Sequence, residues 1–340
     1  MDSLTHIVMG AAIGDSLLGK KIGRKAAWIG ALAKTFPDFD LFVSGLNDPR
    51  KYILYHRSYT HSFFVELLTA FPLAWICYWA FKRKISYSQW FLLWITCLWA
   101  HSVVDMFTNY GTRLFLPFSS RLVSLNNMAI ADLFLTIPIL ILMTIALIAP
   151  NNSVRRTRFT QASLLYSCLY LASSFAAKSY ADVHFKQSLE TQQIGYRSYM
   201  SNPVILSNFL WYANITTDST LLTAEYSLFQ HQAVQQWTPF RIQDSLLLRH
   251  PSPDAKMLLW FSQGFYFCQQ KEDTLEVFIP KFGRNNFNTT SPDSSYMFHY
   301  KLFPEKNRWE MTMKEPQKGE FDVKRALKQL YMRTFGVENH

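Results

Sequence analysis

Residues 1–181 alternate long apolar runs with short polar islands, and from residue 182 onward the pattern changes to the short alternation of strands. Leu4 to Gly19 is apolar and small, with Gly10 and Gly14 at the spacing that lets helices approach closely. A bilayer core needs about 20 residues, so this run predicts a tilted or partly inserted helix. Ala26 to Phe36 predicts a second helix that Pro37 ends or kinks. Phe63 to Phe81, broken only by Glu66 and Pro72, reads as a span, as does the Trp- and Leu-rich run from Gln89 to Phe107. Met128 to Ala149 carries Asp132 as its only charge, and Phe159 to Ala181 supplies a sixth segment.

Beyond Asp182, six short runs rich in β-branched and aromatic residues are separated by Gly, Pro, Asn and Asp: Pro203 to Asn214, Leu221 to Gln230, Lys256 to Cys268, Leu275 to Phe282, Tyr296 to Phe303 and Arg308 to Met313. They predict a small antiparallel sheet. Helical spacing of Phe321, Ala326, Leu327, Leu330, Tyr331 and Phe335 predicts a closing helix. The expected architecture is an α-helical multi-pass membrane domain of about six segments over residues 1–181, followed by a β-rich α+β soluble domain over residues 182–340.

Charge sharpens this division. Residues 1–181 hold 17 Lys+Arg against 8 Asp+Glu, and residues 182–340 hold 17 against 16, so the net +10 sits almost wholly in the apolar half. A basic excess around apolar runs marks loops kept on the cytoplasmic side, and no nucleic-acid motif accompanies it. If all six segments cross, ten basic residues in Lys20 to Lys25, Lys82 to Lys84 and Arg155 to Arg158 share one side, while Arg50, Lys51, Arg57, Arg113 and Arg121 take the other. The first side is then cytoplasmic, and the C-terminal domain lies opposite, positioned to cap the site or select substrate. Cys77, Cys97, Cys168 and Cys268 are scattered and build neither a disulfide framework nor a thiolate metal knuckle. The N-terminus lacks the basic region expected of a cleaved signal peptide.

The same parity gathers chemistry on the extracytoplasmic face. His6, Asp38 and Asp40, the His56 to His61 loop, His101 and Asp105, and Asp132 all fall there. Ionisable groups at the ends of membrane-length segments are costly and default to a functional reading. His101 and Asp105 are four apart, so one helix face presents both, and Asp2 and His6 repeat the spacing. Asp38 and Asp40, two apart after a proline, are expected ligands able to bridge neighbouring ions, and four His and four Asp exceed the needs of one tetrahedral ion, which points to two or three metal ions; nitrogen and oxygen donors favour zinc, and manganese or iron also fit. Metal-activated water would supply the nucleophile, with Asp40 and Asp105 as candidates for the base and the general acid unassigned. Arg57, Thr60 and Arg113 are candidates for holding a phosphate. Asp2 and Asp132 are expected to support the ligands from behind, or Asp132 to cap a helix. Asp15 and Glu66 receive no role, and His184, His231, His250, His299 and His340 read as surface or packing residues. A metal transporter or sensor could use the same donors without hydrolysis, although it would spread ionisable groups through the bilayer depth.

Met1-Asp2-Ser3-Leu4-Thr5-His6 with Gly10, Phe36-Pro37-Asp38-Phe39-Asp40, His56-Arg57-Ser58-Tyr59-Thr60-His61-Ser62, and His101 to Asp105 followed by Thr108, Tyr110-Gly111-Thr112 and Pro117 resemble the successive motifs of the YdjM-like membrane-bound metal-dependent hydrolases. The resemblance covers roughly residues 1–181. It implies a bacterial inner-membrane location and His6, Asp38, His56, His61, His101 and Asp105 as metal ligands. The His and Asp pattern is also similar to that of zinc-dependent phospholipase C, which implies phospholipid or other phosphoester substrates.

Overall fold

The computed structural model describes residues 1–44, 48–230, 234, 236–242, 247–248, 252–283, 296–305, 308–313 and 323–336. The chain forms two compact units, one of Met1–Leu46 with Leu54–Phe175 and one of Asn47–Ile53 with Ala176–His340.

The first unit is helical. Helices α1 (Ser3–Ile22) and α2 (Arg24–Thr35) form an antiparallel hairpin turned at Gly23. Gly10 and Gly14 of α1 face Gly30 of α2 with no space for a Cβ on any of the three, so the backbones touch as the Gly10/Gly14 spacing predicts. The second α-helix ends at Thr35, just before Pro37, as expected. Pro37 sits in the first turn of a 3-10 segment, Phe36–Phe39, where a missing N–H costs nothing; short helix α3 (Asp40–Ser44) follows, and then α4 (Pro49–Tyr55), most of which belongs to the second unit. A second 3-10 turn, Tyr59–His61, leads into α5 (Phe63–Ala80), α6 (Tyr87–Met106), α7 (Leu133–Ile148) and α8 (Val154–Thr191).

The long helices of this unit run alternately up and down. Lys21 bonds Gln89 at the start of α6 at 2.7 Å, Arg24 bonds the carbonyl of Leu147 at 2.6 Å, and Arg156 pairs with Asp15. The basic loops therefore gather at one end of the bundle. At the other end lie His6, Lys34, Asp38, His61, His101 and Asp105.

Among the described helices, α5 is the one both long and apolar enough to cross a membrane by itself, and α7 is a shorter apolar helix. Both show an outward-facing apolar surface. Phe64, Leu68, Phe71, Trp75, Ile76 and Trp79 of α5 are 42–57% exposed, whereas Ala70 and Ala74 are buried. The start of α8 is likewise inverted relative to a soluble helix: Arg156, Thr160, Ser163 and Ser167 are buried and Leu165 and Leu169 face outward.

In the second unit, two four-stranded antiparallel meanders replace the single sheet expected from sequence. One orders β1 (Ser198–Pro203), β2 (Leu210–Thr216), β3 (Thr220–Ser227) and β4 (Thr238–Arg241). The other orders β5 (Phe267–Lys271), β6 (Thr274–Phe278), β7 (His299–Glu305) and β8 (Arg308–Met313). The Lys256 to Cys268 run is not one strand. Its first part is helix α9 (Pro253–Ser262), because Ser252 caps it and Pro253 occupies its first turn. Trp211, Ala213 and Ile215 of β2 pack on Ala181, Phe185 and Leu189 of α8. The closing helix is α10 (Val323–Phe335); Phe321, His231, His250 and His340 lie outside the described residues.

Candidate metal centre

Four donors from three elements converge at the non-basic end of the first unit. Asp38 comes from the Phe36–Phe39 turn, His61 from the turn before α5, and His101 and Asp105 from one face of α6. His61 Nε2 lies 3.0 Å from His101 Nε2. Asp38 Oδ1 is 3.5 Å from His61 Nε2 and 3.4 Å from His101 Nε2, and Asp105 Oδ2 is 3.4 Å and 3.5 Å from the same two nitrogens. Tetrahedral zinc with bonds of about 2.0–2.1 Å demands donor–donor edges of about 3.3–3.4 Å. Four of the six edges, at 3.4–3.5 Å, thus match one ion of that size, and the His61–His101 edge is shorter at 3.0 Å.

Hydrogen bonding fixes which imidazole nitrogens face inward. Lys34 O can only accept, so the His101 Nδ1 lying against it must carry the proton. Thr60 Oγ1 donates to Asp40 Oδ2 at 2.9 Å and accepts from His61 Nδ1 at 2.9 Å. Each ring's Nε2 therefore faces the same point, where it is a lone pair in the neutral tautomer that ligation requires and a donor when the ring is protonated. Two lone pairs at this separation repel unless a proton bridges them or a metal ion lies between them. Asp105 Oδ2 is buried, and its angle to Arg57 Nε, 3.0 Å away, makes no hydrogen bond.

The electrostatics also favour a cation. Burial alone would raise the Asp38 pKa, but hydrogen bonds from His101 and His61 overcome it and hold the carboxyl well below the usual range. Burial pulls His61 down, and its bonds to Asp105 and Asp38 outweigh that and push it up to about 9. Positive charge is therefore stabilised among these four residues. The side chains of His61, His101 and Asp105 are fully buried and Asp38 is 11% exposed, so solvent reaches the cluster on the Asp38 side.

The remaining expected site residues surround this cluster. His6 Nε2 donates to Asp105 Oδ1 at 3.1 Å, its Nδ1 accepts from Lys34 Nζ at 3.0 Å, and its ring stacks on His101 at 3.9 Å. The Met1 amino group also contacts Asp105 Oδ1. Asp40 and His56 pair with each other at 3.0 Å, and burial holds His56 below its ordinary pKa despite that partner. Arg57, buried and at φ 55°, turns inward: Nε meets Asp105 Oδ2 and Nη1 donates to Thr108 Oγ1 at 2.7 Å. Arg113 Nη1 reaches Ser58 Oγ at 3.3 Å. Asp2 caps α1 through Thr5 N, and Asp132 caps α7 and accepts from Tyr170.

Two groups near the site had no expected role. Lys34 is fully buried, bonded to His6 and to Ala100 O at 3.1 Å. Glu66 is buried and accepts from Ser102 at 2.6 Å. Each is a lone charge on an otherwise apolar helix face, which is the signal that could have found it.

A family model described as YdjM inner membrane protein matches residues 1–181. A Bacillus subtilis (strain 168) protein named "Uncharacterized protein YfhP" is 32% identical over 145 residues, which make up 40% of this chain and 43% of that relative. The match thus spans less than half the length of either chain. No solved structure matches the chain.

Proposed function

The chain belongs to the YdjM inner membrane protein family, and from that premise we propose that it is a multi-pass, metal-dependent hydrolase acting on phosphoesters at the extracytoplasmic face. Asp38, His61, His101 and Asp105 would hold one divalent ion, zinc by donor type and edge length. The observation that carries this is the pair of inward-facing Nε2 atoms flanked by two carboxylate oxygens, at five separations of 3.0–3.5 Å. When bound, such an ion polarises a phosphoryl oxygen and acidifies water. Arg57, His6 and Lys34 keep Asp105 and the His101 ring in place. Substrate approaches past Asp38, and Arg113 at the rim is the cation an anionic ester would meet, because Arg57 is turned onto Asp105. The exposed apolar faces of α5 and α7 and the basic loops at the far end support the membrane topology.

A second reading is favoured by one feature. Four protein donors already complete a tetrahedron, as in sites that hold a metal without turnover. Metal analysis of the purified protein, with a phosphoester panel assayed on wild type and His101→Ala, separates the two. The hydrolase reading expects bound metal and hydrolysis, both lost in His101→Ala. Metal without hydrolysis of any ester would favour the second reading, and a metal-free protein with activity unchanged by the substitution would sink both.

A further inference from the structure

The second unit holds a cavity of about 520 Å³, within the range of small-molecule sites and lined by β2, β3, the start of β4, the segment after β6 and α10. Its floor follows from strand alternation. Trp211, Ala213 and Ile215 of β2 point to the apolar core, so Tyr212 and Asn214 point to the opposite face. Register places Thr223 of β3 opposite Asn214, Thr238 of β4 opposite Thr223, and Glu225 opposite Tyr212. A polar row, Asn214–Thr223–Thr238, therefore crosses three strands along the cavity floor.

Asn214 is the informative member. It is fully buried, its Nδ2 reaches Pro280 O at 3.5 Å, and its Oδ1 accepts no hydrogen bond from the described residues. A buried amide oxygen left without a donor is unfavourable, and Asn214 lies in the lining of the cavity. Tyr212 is locked by its hydroxyl, which donates to Lys281 O at 2.8 Å, and Phe282 and Tyr296 add two further aromatic rings to the lining. Among the described lining residues, Glu225 and Arg333 are the charges, and they neutralise each other in a two-point pair, with Arg333 Nε 3.0 Å from Glu225 Oε2.

We propose that this cavity binds an uncharged polyhydroxylated molecule, a sugar or glycoside unit. Strands about 4.8 Å apart set the polar row at a spacing comparable to hydroxyls across one six-membered ring. Hydroxyls supply the donor that Asn214 Oδ1 needs and the acceptors that the threonine hydroxyls need, while the C–H faces of such a ring suit aromatic walls. The described lining carries no net charge, which disfavours an anionic or cationic ligand, and its six polar side chains disfavour a bare acyl chain. This proposal is independent of the metal centre, since both its floor and walls belong to the second unit.

The test is saturation-transfer NMR on the full chain in lipid nanodiscs free of sugar-based detergent, against a panel of neutral hexoses and disaccharides at millimolar concentration. Transfer to sugar protons is expected in wild type and lost in Asn214→Leu and in the near-isosteric Thr223→Val, with the unfolding midpoint of Thr223→Val unchanged. No transfer from any panel member, equal transfer in wild type and well-folded Thr223→Val, or transfer confined to a fatty acid added as control would overturn it.

Discussion

At the scale of single residues, the centre is defined less by its four donors than by what orients them. Thr60 is the clearest case, because one hydroxyl settles both the His61 tautomer and one oxygen of Asp40. Val has the shape of Thr without that hydroxyl, so Thr60→Val should leave the fold intact and lower metal affinity by about 10–100-fold, the usual effect of losing an outer partner. Competition with a fluorescent chelator measures this, and unaltered affinity would mean that Thr60 does not set the tautomer. The sequence identified this loop because His, Arg and Thr cluster there in an apolar setting. It did not distinguish the side chains that converge from those that surround them. His56 and His61 look equivalent in sequence, yet one turn of 3-10 helix sends His61 inward to Asp38 while His56 meets Asp40. Arg57 is similar: its positive φ turns the guanidinium inward to Asp105, and nothing in its neighbours announces that conformation.

At the scale of elements, the centre depends on how closely α1 and α2 approach. Gly10, Gly14 and Gly30 bring the two backbones together, and this contact sets His6 and Lys34 beside each other above Asp105. Gly30→Leu wedges the hairpin apart. It should lower the unfolding midpoint and also reduce metal occupancy, although residue 30 touches none of the four donors. Retained occupancy in the folded variant would show that the hairpin is not part of the support. The close approach was legible because small residues at spacing four have one common use in apolar helices. Other elements were legible only in part. Helix α9 was hidden by its aromatic and aliphatic run, although Ser252-Pro253 carried a helix-start signal that deserved more weight than the run's strand propensity. Strand β1 was missed because Ser198–Pro203 is mostly polar, and antiparallel pairing with β2 rather than composition makes it a strand.

At the scale of the whole first unit, alternation of helix direction separates basic loops from the metal centre, and this follows from parity more than from any one helix. Parity could be read from sequence because apolar run lengths and Lys/Arg clusters are counted without knowing contacts. Depth could not. Helix α2 has 12 residues, about 18 Å of rise, which is too short to cross a core of about 30 Å alone. The α1–α2 hairpin nevertheless returns both outer ends to the same end of the bundle, so the direction of the later helices does not depend on its length. Two positions then report topology directly. In a variant lacking Cys77, Cys97, Cys168 and Cys268, a cysteine at Arg83 in the basic α5–α6 turn should resist a membrane-impermeant maleimide in intact cells and react after lysis. A cysteine at Phe118, 78% exposed in the segment between α6 and α7, should react in both. Reversed labelling would put the centre on the cytoplasmic side, against the positive-inside bias. Labelling of both in intact cells would mean that the α5–α6 hairpin does not cross, and the outward aromatic face of α5 would then need a protein partner instead of lipid.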